Sequence, residues 1–186
     1  MADVYDKLDE IIRSVPPGNG RDLVSRVARF VKRVHAGQLR ADGDTVFEHV
    51  VGVAENVLDA GSDDPVLIAA ALLHDVLEQT PLTLNDLEKS FGTRIARLVD
   101  ALTMRPGDTT SDSVARAEAY GKDAVLLRVC DRIDAARRVR GRPPEKRDEY
   151  LDAIRNYHLV MARRHFPEFS AKLDYALREA GNRPAE

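Results

Sequence analysis

Residues 68–80 read Ile68-Ala-Ala-Ala-Leu-Leu-His74-Asp75-Val-Leu-Glu78-Gln79-Thr80, an apolar run into which polar side chains are suddenly set. Asp64 suits an N-cap, Pro65 suits the first helical position and Pro81 stops the run, so the spacing predicts a helix up to Thr80. Apolar residues surround its axis instead of forming one stripe, which predicts burial on most sides. An imidazole and carboxylates inside such a helix cost roughly several kcal/mol unless they are paired or hold a metal. The rest of the chain must therefore supply their compensation.

Glu78 lies four residues after His74 and three after Asp75, so these side chains project toward neighbouring parts of one face, with Gln79 at its margin. Adjacent helical residues point about 100° apart, so His74 and Asp75 share an ion only where it sits between their two directions. Further ligands have to come from other helices. His49 stands near the start of the preceding apolar-periodic segment, and Asp131 lies in the apolar run Ala124-Val-Leu-Leu-Arg-Val-Cys-Asp131. Taken alone, a histidine such as His49 is more often a hydrogen-bonded core residue than a ligand. Two histidines and two aspartates together suit Mn²⁺, Fe²⁺ or Zn²⁺.

Helix formers dominate the apolar 44% of the 186 residues, Trp is absent and β-branched runs are few, which predicts an all-α fold in a single domain over 1–186. A net charge of −3 argues against bulk binding to nucleic acid or to an anionic membrane. Cys130 is the only cysteine and is expected to pack in the core, which fits a reducing compartment. With no apolar leader and no membrane-length apolar run, a cytoplasmic protein is expected.

Along the chain, helices are predicted over 2–14, from about Arg21, over 47–60 with Gly61 as a cap, from the capping-box pattern Thr83-Leu-Asn-Asp86 to Phe91-Gly92, through Ile95 to Leu102, over 122–140, over 145–165 as one long helix, and over 168–180. Residues 37–45 read as a loop that delivers Arg40 close in sequence to His49, and 104–113 as the longest loop. Positive charge gathers around the break at Gly141 to Pro144, in Arg132, Arg137, Arg138, Arg140, Arg142, Lys146 and Arg147; it is either a solvated helix end or a phosphate-facing rim. His158 and His165 are expected at the surface, and the tail from Gly181 is expected to fray.

Taken together, His35-Ala-Gly-Gln38-Leu-Arg40, Gly43, His49, Val53-Ala54, the central run through Glu78, Thr83, Phe91-Gly92, Leu98-Val99, Thr103, Asp131-Arg132-Ile133 and Pro144-Glu145-Lys146-Arg147 resemble the hydrolase domain of the RelA/SpoT alarmone enzymes. The likeness spans about residues 25–165, with a helix added at either end, and extends to the stand-alone small alarmone hydrolases of the Mesh1 type. It implies a compact HD-domain helical bundle around a central metal-binding helix. It also implies a metal-dependent phosphohydrolase that uses Mn²⁺ to remove the 3′-pyrophosphate of (p)ppGpp. By position, His49, His74, Asp75 and Asp131 are implied as metal ligands, Glu78 and Gln79 occupy the pair that handles the attacking water, and Arg40 is implied at the guanine base. Arg137, in the basic cluster, is a further candidate for holding phosphate or base. The implied partner is a phosphorylated nucleotide; homo-oligomers are compatible with the sequence.

The chain also departs from the family pattern. Gln79 stands where the family has an acid, Ala135 where it has an Asn, Val46 in place of a Tyr, Val50 in place of a Pro, and Met104 where a Lys is common. An amide can hold a water but cannot take its proton. Two other readings therefore stand beside alarmone hydrolysis: the same metal chemistry on a different nucleotide, and a catalytically weakened nucleotide-binding or regulatory protein.

Overall fold

The structure is a computed structural model that describes residues 3–181. It is all-helical: α1 (Val4–Ser14), α2 (Asn19–Val34), α3 (Val46–Asp59), α4 (Pro65–Leu73), α5 (Val76–Gln79), α6 (Leu84–Phe91), α7 (Thr93–Leu102), α8 (Thr110–Tyr120), α9 (Lys122–Arg138), α10 (Pro144–Ala153), α11 (Leu159–His165) and α12 (Pro167–Gly181). Among the described residues the only β-type pairing is an isolated antiparallel bridge between Leu39 and Thr45. None of these helices is long and apolar enough to cross a membrane. Met1, Ala2 and residues 182–186, where the tail was expected to fray, lie outside the described residues.

Local chemistry starts the helices that matter most. Thr45 and Glu48 form a reciprocal capping box at the head of α3, the Thr45 hydroxyl accepting from the Glu48 N–H at 3.1 Å and the Glu48 carboxylate accepting from the Thr45 N–H at 3.1 Å. A cap of this kind contributes about 0.5–2 kcal/mol, and here it sets His49 in the first turn. Asp64 caps α4 by accepting from the Val66 N–H at 2.8 Å. The box expected at Thr83 and Asp86 forms, and a third, at Thr109 and Asp112, starts α8.

Every residue of α4 from Leu67 to Leu73 is buried, as a helix apolar on all sides must be. It packs against α2, α3, α7 and α9. Helix α9 joins two apolar clusters: Leu126, Leu127 and Cys130 face the one built on α2, α3, α4 and α7, while Val125, Val129 and Ile133 face the one closed by α10 to α12. Cys130 is fully buried, and burial pushes its thiol pKa up, in keeping with a packing role.

Four expectations are corrected here. The central segment is not one helix to Thr80, because it breaks at His74 and Asp75 between α4 and α5. The His74 ring donates to the carbonyl of Ala71 at 2.7 Å, the acceptor that a continuing helix would offer to the Asp75 N–H. The expected loop 104–113 is shorter, since the Thr109 box begins α8 at Thr110. Residues 145–165 are interrupted by a wide turn over Ile154–His158, where the Leu159 N–H reaches back to the Ile154 carbonyl. His158, within that turn, is buried and not a surface residue, while His165 is half-buried at the surface and held by Glu118 at 2.9 Å.

Candidate metal centre

Three stretches of chain meet at one point. The capped start of α3 brings His49, the break after α4 brings His74 and Asp75, and the middle of α9 brings Asp131. His49 Nε2 lies 3.2 Å from His74 Nε2, 3.4 Å from Asp131 Oδ1 and 4.0 Å from Asp75 Oδ2. His74 Nε2 lies 3.3 Å from Asp75 Oδ1 and 3.9 Å from Asp131 Oδ1. The ligand atoms of His49, His74 and Asp131 all fall within 4.8 Å of one another, and all three residues are buried. Asp75 closes one side of the same cluster, at 9% exposure.

The protons decide what this cluster can hold. His74 Nδ1 faces the Ala71 carbonyl, which can only accept, so Nδ1 carries the proton and Nε2 presents a lone pair. His49 Nδ1 likewise faces a carboxylate, Asp134 Oδ2, at 2.6 Å. In their neutral forms both rings thus aim lone pairs at each other across 3.2 Å, with carboxylate oxygens beside them. With both rings neutral, acceptors face one another across this space, and either a proton on His49 Nε2 or a shared cation satisfies them. Nitrogens each about 2.0–2.1 Å from one ion stand about 2.8–3.4 Å apart for angles from a right angle to tetrahedral, so the observed spacing fits a shared divalent ion.

The electrostatics make the same point. Burial opposes charge on His49, but hydrogen bonding to Asp131 and Asp134 overrides it and raises its pKa to about 9, so without a metal the ring holds a proton where the cation would sit. Burial lowers the pKa of His74 and keeps it neutral. Asp131 resists its burial because the Arg132 guanidinium and the two imidazoles hold its carboxyl well below the usual range. Its two oxygens are divided by role. Oδ2 accepts from Arg132 Nη2 at 2.6 Å and Nε at 3.1 Å and from Arg128 Nη1 at 3.4 Å, which leaves Oδ1 toward the histidines. Arg132 is steadied by Tyr150, whose hydroxyl it meets at 2.7 Å.

Around the ligands, Glu78 Oε1 accepts the Met104 N–H at 2.7 Å. Glu78 is exposed at the rim of the cluster, yet partial desolvation of its carboxylate, with Asp75 and Asp131 nearby, raises its pKa against the effect of that hydrogen bond. Gln79 is exposed, and its carbonyl accepts from Gln38 Nε2 at 3.1 Å, tying α5 to the 37–45 loop. Arg40 reaches the cluster from that loop, with Nη1 3.4 Å from Asp75 Oδ2 and Nε 3.4 Å from Asp42 Oδ2. Arg137 is not brought there. Six residues beyond Asp131 turn it about 120° away around α9. It donates to Asn56 at 3.2 Å and lines a separate cavity with Arg140 and Tyr175. Ala135, on the Asp131 side of α9, is buried and offers no polar atom.

Sequence reasoning missed Asp134 and Arg128. A signal for Asp134 was present, since Asp131-Arg-Ile-Asp134 puts a second carboxylate one turn along a buried helix. Its target, 85 residues away at His49, had no local trace.

The profile of the HD domain family matches residues 28–165 of the chain. The chain is 31% identical over 155 residues to a probable GTP pyrophosphokinase of Mycobacterium leprae (strain TN), a match covering 78% of this chain and 19% of that protein. It is 29% identical over 154 residues to the bifunctional (p)ppGpp synthase/hydrolase SpoT of Escherichia coli (strain K12), covering 77% of this chain and 22% of SpoT. It therefore spans about a fifth of the length of these relatives. A solved metazoan orthologue of SpoT, described as hydrolysing ppGpp, superposes with a TM-score of 0.75 at 25% identity, covering 90% of this chain and 98% of that one.

Proposed function

Given that this chain belongs to the HD domain family, with the match running over residues 28–165, we propose that it is a metal-dependent phosphohydrolase that removes the 3′-pyrophosphate of a (p)ppGpp-type nucleotide. The observation that carries the reading is the buried convergence of His49, His74, Asp75 and Asp131 on one point, with a carboxylate of raised pKa, Glu78, close by. These residues would hold Mn²⁺ in the first instance; Fe²⁺ and Zn²⁺ suit the same mixed nitrogen and oxygen donors. When bound, such an ion supplies Lewis-acid chemistry, polarising a phosphoryl oxygen and making water more acidic.

The chain's own groups then have separate tasks. Glu78 takes the proton of the attacking water, and the Met104 N–H keeps its carboxylate in one orientation. Asp131, fixed through Oδ2 by Arg132 and Arg128, keeps Oδ1 free as a ligand. Arg40, at the loop edge of the cluster, is positioned to meet the base or a phosphate of the substrate. The nucleotide itself is suggested by SpoT and by the metazoan orthologue described as hydrolysing ppGpp.

The test is release of pyrophosphate from ppGpp by protein supplied with Mn²⁺, run beside a panel of other phosphorylated nucleotides. Release from ppGpp that stops with EDTA and in His74→Ala supports the reading; turnover of none of them rejects it. Gln79 favours a second reading, in which a nucleotide is bound but hardly turned over, because an exposed amide replaces a potential base. Under that reading Gln79→Asp raises the rate of ppGpp hydrolysis, and an unchanged rate discards the idea that base chemistry is weakened there.

A further inference from the structure

Asp134 is bound to one of the ligands without being one itself. Its Oδ2 accepts from His49 Nδ1 at 2.6 Å and from Arg138 Nε at 2.6 Å, so this oxygen is fully engaged. Its Oδ1 points at Gly52, where even a methyl group would overlap the carboxylate. Gly52 lies one turn along α3 from His49, on the same side, and only a residue without a side chain lets the Asp134 carboxylate come this close. Arg138 continues outward, donating to Asp44 at 2.9 Å in the loop that carries Arg40 and to the Glu48 carbonyl at 3.2 Å.

From this geometry we infer that Asp134 is a positioning residue for His49, acting on the bound metal through the ring, and that Gly52 and Arg138 serve its placement. The inference rests on the metal-centre reading above. An imidazole has two nitrogens, and nothing in the ring itself chooses which one faces the ion. A carboxylate at Nδ1 holds the proton there, turns Nε2 toward the cluster and makes it a stronger donor. Asp134 is itself compensated by Arg138, so it can polarise His49 without standing as an unpaired buried charge. The chain Asp44, Arg138, Asp134, His49 also joins the substrate-side loop to a ligand on α3.

The competing account is that Asp134 merely pins α3 to α9. The two accounts differ in what happens to metal affinity once the protein is folded. Mn²⁺ binding to chelator-stripped protein is measured by calorimetry for wild type, Asp134→Asn, Asp134→Ala and Gly52→Ala. Thermal unfolding in EDTA checks that each variant is folded at the assay temperature. A positioning role predicts Mn²⁺ binding weakened by about 10–100-fold in Asp134→Ala and Gly52→Ala, with a smaller loss in Asp134→Asn, which keeps an acceptor oxygen for Nδ1–H but no charge. It also predicts a changed visible absorption spectrum for Co²⁺ bound to Asp134→Asn. A structural role predicts a lower Tm in EDTA with affinity and spectrum unchanged, and affinities within about twofold of wild type in the near-isosteric Asp134→Asn and in Asp134→Ala overturn the inference. Wild-type protein that binds Mn²⁺ but hydrolyses no nucleotide would refute the proposed function and leave this inference standing; wild-type protein that binds no divalent ion would refute both.

Discussion

Replacing Glu78 with Gln separates catalysis from architecture at this site. The amide keeps an oxygen to accept the Met104 N–H, now at 2.7 Å, so the hydrogen bond, worth about 0.5–1.5 kcal/mol net, is retained. Partial desolvation and the nearby Asp75 and Asp131 raise the Glu78 pKa, so its ionised form is somewhat disfavoured in the folded protein, an effect that solvent screening at this exposed rim keeps small. Removing that charge should leave folding stability equal or slightly higher. The chemistry should move the other way. A positioned base contributes about 10²–10⁴-fold, or about 2.7–5.5 kcal/mol of barrier at about 1.4 kcal/mol per tenfold. The assay is kcat for pyrophosphate release from ppGpp with saturating Mn²⁺, beside Tm in EDTA. Glu78→Gln should lose at least two orders of magnitude in kcat with Tm unchanged or raised, and the acid limb of the wild-type pH profile should disappear. A variant that keeps more than about a tenth of wild-type kcat would show that Glu78 is not the base.

Two other consequences concern protons. His49 is protonated in the metal-free protein up to about pH 9 and must lose that proton from Nε2 to bind an ion, so Mn²⁺ affinity should rise with pH up to about 9 and level off above; calorimetry in buffers of different ionisation enthalpy should detect the released proton, and a flat profile from pH 6 to 9 would contradict the assignment. His158, whose burial beside Arg132 and Arg128 pushes its pKa well below 6.5, stays neutral when folded but gains a proton when unfolded, so its contribution to stability is lost as pH falls below about 6.5, by about 1.4 kcal/mol per pH unit. Denaturant titrations in EDTA at pH 7.5 and 5.5 should show His158→Asn losing less stability than wild type, and equal losses would refute the assignment.

What could be read from the order of residues was whatever depends on near neighbours. Capping at Thr83 and at Asp64, the all-round apolar character of α4 and the turn at Gly61 are settled within a few residues, by hydrogen bonds and backbone freedom that a short peptide already expresses. The ligand types were legible for a related reason: polar groups inside apolar helices have to be compensated, and His74 and Asp75 announce that need by their position alone. Where the compensation comes from was not legible. By contrast with the His74 ring bond to Ala71, which is local, and with Arg137, whose six-residue offset from Asp131 already turns it away on a helix, the burial of His158 depends on a wide turn held under α9. Likewise, Asp134 reaches His49 only because α3 and α9 cross at Gly52. The sequence alone determined the helices and which residues needed a partner, because those follow from local bonding and the cost of burying charge. The tertiary structure decided which partner each one has, because that depends on how distant helices pack face to face.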